Sequence, residues 1–93
     1  MKKALPSLES IKAATIGRGL HTCNSWNCLT MSITVEAVEC LPDSYSFTGT
    51  NAWCGKSVIF VDNEYIADLI ATGEAEHHQE IDHCDVCTKW VLK

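Results

Sequence analysis

From Asp62 to Cys87 the chain has no lysine or arginine. A segment without basic residues is poorly suited to holding phosphates, because nucleic-acid affinity comes mainly from cations that neutralise the backbone. Long apolar runs are also missing: runs such as Val58 to Val61 are far too short for a membrane-spanning helix. After Met1, Lys2 and Lys3, the residues Pro6, Ser7, Glu9, Ser10 and Lys12 interrupt any signal-peptide core, so a cytoplasmic protein is expected. No Asn-x-Ser/Thr acceptor, internal repeat, low-complexity segment or linker occurs. The 93 residues therefore predict one domain over 1–93, with a modest core and little surplus stability.

The residues that are present point to a folded domain. An apolar fraction of 46% with 8% aromatics argues against disorder. The six cysteines would make a disulfide framework in a secreted chain; without an export signal, thiols or metal ligands are expected instead. The net charge of -5 is unevenly spread. Lys2, Lys3, Lys12 and Arg18 crowd the first eighteen positions, while eleven of twelve acids lie from Glu36 onward.

Periodicity gives most of the elements. Leu8, Ile11, Thr15 and Ile16 recur at helical spacing, with Ser7 as a cap and Gly17 and Gly19 as terminators. Residues 20–29 lack a period and read as a structured loop. Met31, Ile33, Val35 and Ala37 alternate with polar residues as a strand does, and the slip at Ala37-Val38 reads as a bulge. Leu41-Pro42-Asp43-Ser44 marks a turn into a second strand carrying Tyr45 and Phe47, and Thr48-Gly49-Thr50-Asn51 reads as another turn. Ser57 to Val61 reads as a third, more deeply buried strand. Asp62 or Asn63 caps a helix with Ile66, Leu69 and Ile70 on its apolar face; Gly73 ends it, or, if the helix runs on, His77 and Ile81 extend the stripe. Thr88 to Leu92 resembles a last strand. The predicted class is α+β, in the order helix, strand, strand, strand, helix, strand, with an antiparallel sheet covered by helices on one face.

The chemistry-bearing residues concentrate in the base-free stretch. It holds Asp62, Glu64, Asp68, Glu74, Glu76, Glu80, Asp82 and Asp85, together with His77, His78, His83 and the Cys84-x-x-Cys87 pair. The spacing of Cys84 and Cys87 lets two thiolates reach one ion, and Cys23-x4-Cys28 offers a second pair, so Cys23, Cys28, Cys84 and Cys87 are the candidate ligands of one structural zinc ion, with His21 or His83 able to replace one of them. The competing reading is buried or idle thiols. A redox role for Cys84-x-x-Cys87 is disfavoured because the residues after Cys87 are strand-like and provide no helix N-terminus; Trp53-Cys54-Gly55-Lys56 resembles part of a thioredoxin active site but lacks the second cysteine. Gly55-Lys56-Ser57 resembles the end of a phosphate-binding loop, yet Thr50 stands where the first glycine belongs. No local signature selects a cysteine nucleophile with its base. His77, His78 and His83 read most simply as solvated loop residues, His77 partly packed.

A charge run is ordinarily a solvated face. Eight acids without a compensating base exceed what solubility needs, and like charges at Glu64/Asp68 and Glu76/Glu80 would cost a helix stability. The expectation is a non-enzymatic binding protein whose Glu64, Asp68, Glu74, Glu76 and Glu80 dock on a basic, nucleic-acid-handling protein surface and block it, as a nucleic-acid mimic would. Small acidic phage inhibitors, including anti-CRISPR and anti-restriction proteins, work this way as a class. The alternative is a zinc-stabilised intracellular interaction or regulatory module built on the cysteine pairs, without catalysis, because four protein ligands leave no open position.

Overall fold

The structure, a computed structural model, describes residues 6–25, 29–53 and 55–93. Helix α1 (Leu8–Thr15) is followed by strands β1 (Gly19–Asn24), β2 (Leu29–Cys40), β3 (Ser44–Asn51) and β4 (Gly55–Asp62), helix α2 (Asn63–Thr72), and strands β5 (Glu74–Ile81) and β6 (Cys84–Leu92). The class is α+β, with a fully antiparallel six-stranded sheet in the order β4-β3-β2-β1-β6-β5. No described helix is long and apolar enough to cross a membrane.

Local chemistry sets the boundaries. Ser7 caps α1 by accepting from the Ser10 N–H, and the chain leaves the helix through Ile16, which is extended and 46% exposed and so is not part of the apolar helix face. Gly73, at φ 84°, ends α2 by donating to the Leu69 carbonyl at 2.9 Å, a left-handed position glycine takes without steric cost. The helix does not run on to His77. In β2 the register shifts between Val35 and Ala37, so that both Val35 and Val38 reach the core despite their odd spacing. Gly49 lies opposite Val35 inside β3, and a Cβ there would sit 2.0 Å from the Thr34 carbonyl oxygen. The strand therefore continues through Thr48-Gly49-Thr50-Asn51, where the residue types suggest a turn; the chain reverses only after Asn51, which pairs with Gly55.

Two strands, β1 and β5, escape the periodicity and are additions to the predicted order. In β1, only Leu20 is a large apolar residue facing the core, and Thr22 and Asn24 follow it on that face, so no alternation shows. In β5, Ala75, His77, Gln79 and Ile81 occupy the inner face while Glu74, Glu76, His78 and Glu80 occupy the outer one. The alternation is largely polar against polar.

The sheet is strongly curled. Four strand spacings separate β6 from β4, which is about 19 Å in a flat sheet. Yet Trp90 Nε1 of β6 donates to the Phe60 carbonyl of β4 at 3.0 Å. The concave face holds Leu20, Ile33, Val35, Phe47, Ile59, Val61, Trp90 and Leu92, and both helices close over it through Ile11, Ile66 and Leu69. Tyr65 of α2 stacks on Trp90 with ring centroids 5.6 Å apart and meets His77 edge-on at 5.1 Å. These contacts hold α2 against β5 and β6.

Candidate functional site

The acidic stretch does not form one helical face. Asp62 is the N-cap of α2 but makes no side-chain cap bond; Glu64 is in the first turn and Asp68 one turn later. Glu74, Glu76 and Glu80 stand on the outer face of β5, where neighbouring positions of that face are about 6.8 Å apart. The expected helical repulsion between Glu76 and Glu80 is absent, because four residues of strand put them about 13.6 Å apart. Glu76 is also compensated: Lys89 is its cross-strand partner, with Nζ 3.7 Å from Oε1. A different like-charge pairing replaces the expected one. Glu80 pairs directly with Asp85, both exposed, next to a turn carrying Asp82. Directly opposed like charges destabilise a sheet. Asp82 and His83 both take positive φ (49° and 65°), the geometry of a two-residue type I′ hairpin loop, so the tip is tight.

The β5–β6 hairpin thus gathers a group of acids, with Glu80, Asp82 and Asp85 at its tip and Glu74 further along the same strand. Glu64 approaches β5 from the concave side, near enough to His77 for ligand atoms of Asp62, Glu64 and His77 to lie within 4.8 Å of one another. Burial first, and then the negative charge of Glu64, push the Tyr65 hydroxyl above its usual pKa. His77 Nε2 is 2.7 Å from Gln79 Oε1, and its Nδ1 is buried without a hydrogen-bond partner.

Among the described residues, Cys23, Cys84 and Cys87 of the expected zinc set are not brought to one point. Cys84 and Cys87 belong to one strand, where residues three apart point to opposite faces, so they cannot chelate one ion. The x-x spacing serves metal chelation in turns, and here it falls in β6. Cys28 lies outside the described residues. Cys23 is on the outer face of β1 opposite Lys89, diagonal to Cys87. Cys23, Cys40, Cys84 and Cys87 are free thiols.

Another grouping takes its place. On the outer face of β5 and β6, His78 and Cys87 are direct cross-strand partners, with Cys87 Sγ 3.9 Å from His78 Nε2. The same Nε2 is 3.2 Å from Glu76 Oε2. Cys87 is held from the other side, since its N–H donates to Ser25 Oγ at 2.8 Å and its carbonyl accepts the Ser25 N–H at 2.9 Å. His78 is therefore solvated as expected, but on a strand and not in a loop. Only the i, i+2 spacing of Glu76 and His78 on one strand face marks it in the sequence, and that signal needs β5 to be recognised.

A hollow beside the exposed Trp53 is lined by His21, Thr30, Met31, Ser32 and Asn51. His21 Nδ1 and Ser32 Oγ lie 2.7 Å apart there, with no acid or thiol among the described lining residues. Compared with family models, curated proteins and solved structures, the chain matches none.

Proposed function

We propose that this protein is a small, non-enzymatic, cytoplasmic binding module that docks its acidic β5–β6 hairpin onto a basic protein surface, of the kind that holds nucleic acid, and blocks it. The observation that supports the reading is the cross-strand pairing of Glu80 with Asp85, two like charges set opposite one another at exposed positions. A local cost kept beside Asp82, in a segment without lysine or arginine up to Cys87, favours use as a recognition surface over mere solubility. Glu74 extends the patch along β5, and Glu64 and Asp68 add charge from α2. A phage-type inhibitor is one role that such a module fills.

Affinity capture from nuclease-treated host lysate, eluted with a salt gradient, tests this. One specific basic partner, released by moderate salt, is the expected result. Reversing Glu74, Glu80 and Asp85 to lysine should then slow association at low salt by about tenfold or more, with a smaller effect on dissociation. An association rate indifferent to those reversals and to salt overturns the reading.

A further inference from the structure

We infer that Glu76, His78 and Cys87 form a binding site for one divalent transition-metal ion of the zinc class, with the fourth tetrahedral position open to water or another donor. A tetrahedral zinc ion with bonds of about 2.0–2.2 Å to nitrogen and oxygen and about 2.3 Å to sulfur has ligand edges of about 3.3 Å between N and O and about 3.6 Å between N and S. The corresponding separations are 3.2 Å from His78 Nε2 to Glu76 Oε2 and 3.9 Å from His78 Nε2 to Cys87 Sγ. The third edge, from thiol to carboxylate, is within 4.8 Å. Three donors are therefore held close to the spacing the ion requires, with only a small closure left.

The direction of approach separates this arrangement from its two competitors. A hydrogen-bonded histidine and glutamate account for the 3.2 Å contact alone, but not for a thiol turned to the same nitrogen. A cysteine nucleophile with a histidine base needs the acid on the opposite ring nitrogen, where it orients the imidazole. Here both partners converge on Nε2, as ligands around a common cation do. The scaffold is rigid: His78 faces Cys87 across two paired strands, Cys87 is pinned by Ser25, and Lys89 holds the other Glu76 oxygen. Side-chain exposures of 57% for His78 and 48% for Glu76 leave the ion an open path. Mixed N, O and S donors select a borderline-soft ion over magnesium or calcium. Cys87 binds as its thiolate, so each ion taken up releases the thiol proton to solvent. The Asp62, Glu64 and His77 grouping is the weaker candidate, because it sits at the positive end of α2, where the helix dipole opposes a cation.

The site does not rest on the docking reading, since metal uptake is measured on the isolated chain. Protein stripped with chelator under reducing conditions is titrated with Co²⁺ as the spectroscopic probe, then with Zn²⁺ in competition. The expected result is one ion per chain, the absorption of tetrahedral cobalt, and a sulfur-to-cobalt charge-transfer band. Cys87→Ser should abolish that band, His78→Gln and Glu76→Gln should weaken uptake by about tenfold or more, and Cys84→Ser should leave it unchanged. His78 is an exposed strand residue, so His78→Gln keeps the test decisive if circular dichroism finds Cys87→Ser unfolded. No uptake, uptake unaffected by His78→Gln, or a band lost in Cys84→Ser and kept in Cys87→Ser overturns the assignment.

Discussion

β4 and β5 close the sheet at its two ends, and the contrast between them shows two ways of managing an unpaired strand edge. The apolar run of β4, expected to be deeply buried, has two faces, and the outer one carries Val58 and Phe60, 40% and 53% exposed, a combination that invites edge-to-edge association. Its backbone edge is partly occupied. The Asn63 N–H donates to the Asp43 carbonyl of the β3 side, which sets the phase of the ladder and turns the Phe60 carbonyl away from β3, towards Trp90. β5 has no strand beyond it among the described residues and is guarded by charge, with Glu74, Glu76 and Glu80 on its outer face. An edge closed by a side chain from within tolerates apolar neighbours; an edge left open is kept polar. The docking proposed above uses this open, polar β5 side.

Breaking the closure of β4 should have the largest effect. Trp90 is 5% exposed, and Trp90→Ala is expected to cost about 3–5 kcal/mol in chemical denaturation, through the cavity and the lost stacking on Tyr65. Trp90→Phe keeps most of the volume but leaves the Phe60 carbonyl without its donor, and should cost about 1–3 kcal/mol. A loss below that range would mean that water takes the indole's place and that the β4 edge is open after all.

At β5 the sign should reverse. Glu80→Lys turns a repulsive cross-strand pair with Asp85 into an attractive one, and is expected to stabilise the protein by about 0.2–1 kcal/mol while weakening partner capture. A destabilised Glu80→Lys protein would show that the acidic pair carries no folding cost. Phe60→Ser should shift stability by no more than about 0.5 kcal/mol, because it is the Phe60 backbone that Trp90 uses and not the ring. The smallest effect is expected in acid. On the β4 side Lys56 and Thr50 bind Glu36 and hold its carboxyl below the usual carboxylate range. A group with a lowered folded pKa stabilises the fold above its unfolded pKa, and that contribution is lost as pH falls through the folded value. Glu36 is exposed, so Glu36→Gln should flatten the acid side of the stability profile only slightly.

The same contrast explains how much can be read from the residues. The β4 half declares itself, since Val58, Ile59, Phe60 and Val61 form an apolar run, Tyr45 and Phe47 alternate with serines, and the slip at Ala37-Val38 announces the bulge. Both helices are legible from Ser7, the apolar spacing and Gly73. β5 is hidden because its inward residues include His77 and Gln79 beside the small Ala75, and the packing of His77 depends on Tyr65 arriving from α2. Without β5, Glu76 and His78 are not seen on one face, and the x-x spacing of Cys84 and Cys87 passes for a chelating turn. The acidic charge is visible as composition, but its placement at a hairpin tip requires the register of β5 with β6.

The pairing of β1 with β6 bears on the order of assembly. Every other strand pair joins sequence neighbours through a short connection, whereas Leu20 meets Leu92 across all the intervening elements. The β1–β4 meander can form from local pairings alone, but β6 cannot take its place beside β1 until the distant segment carrying it has folded back. Closing that long loop is the slow step expected from contact order. Until it is complete, the inner edge of β1 and the underside of the meander stand exposed, and α2 has no second wall to rest against.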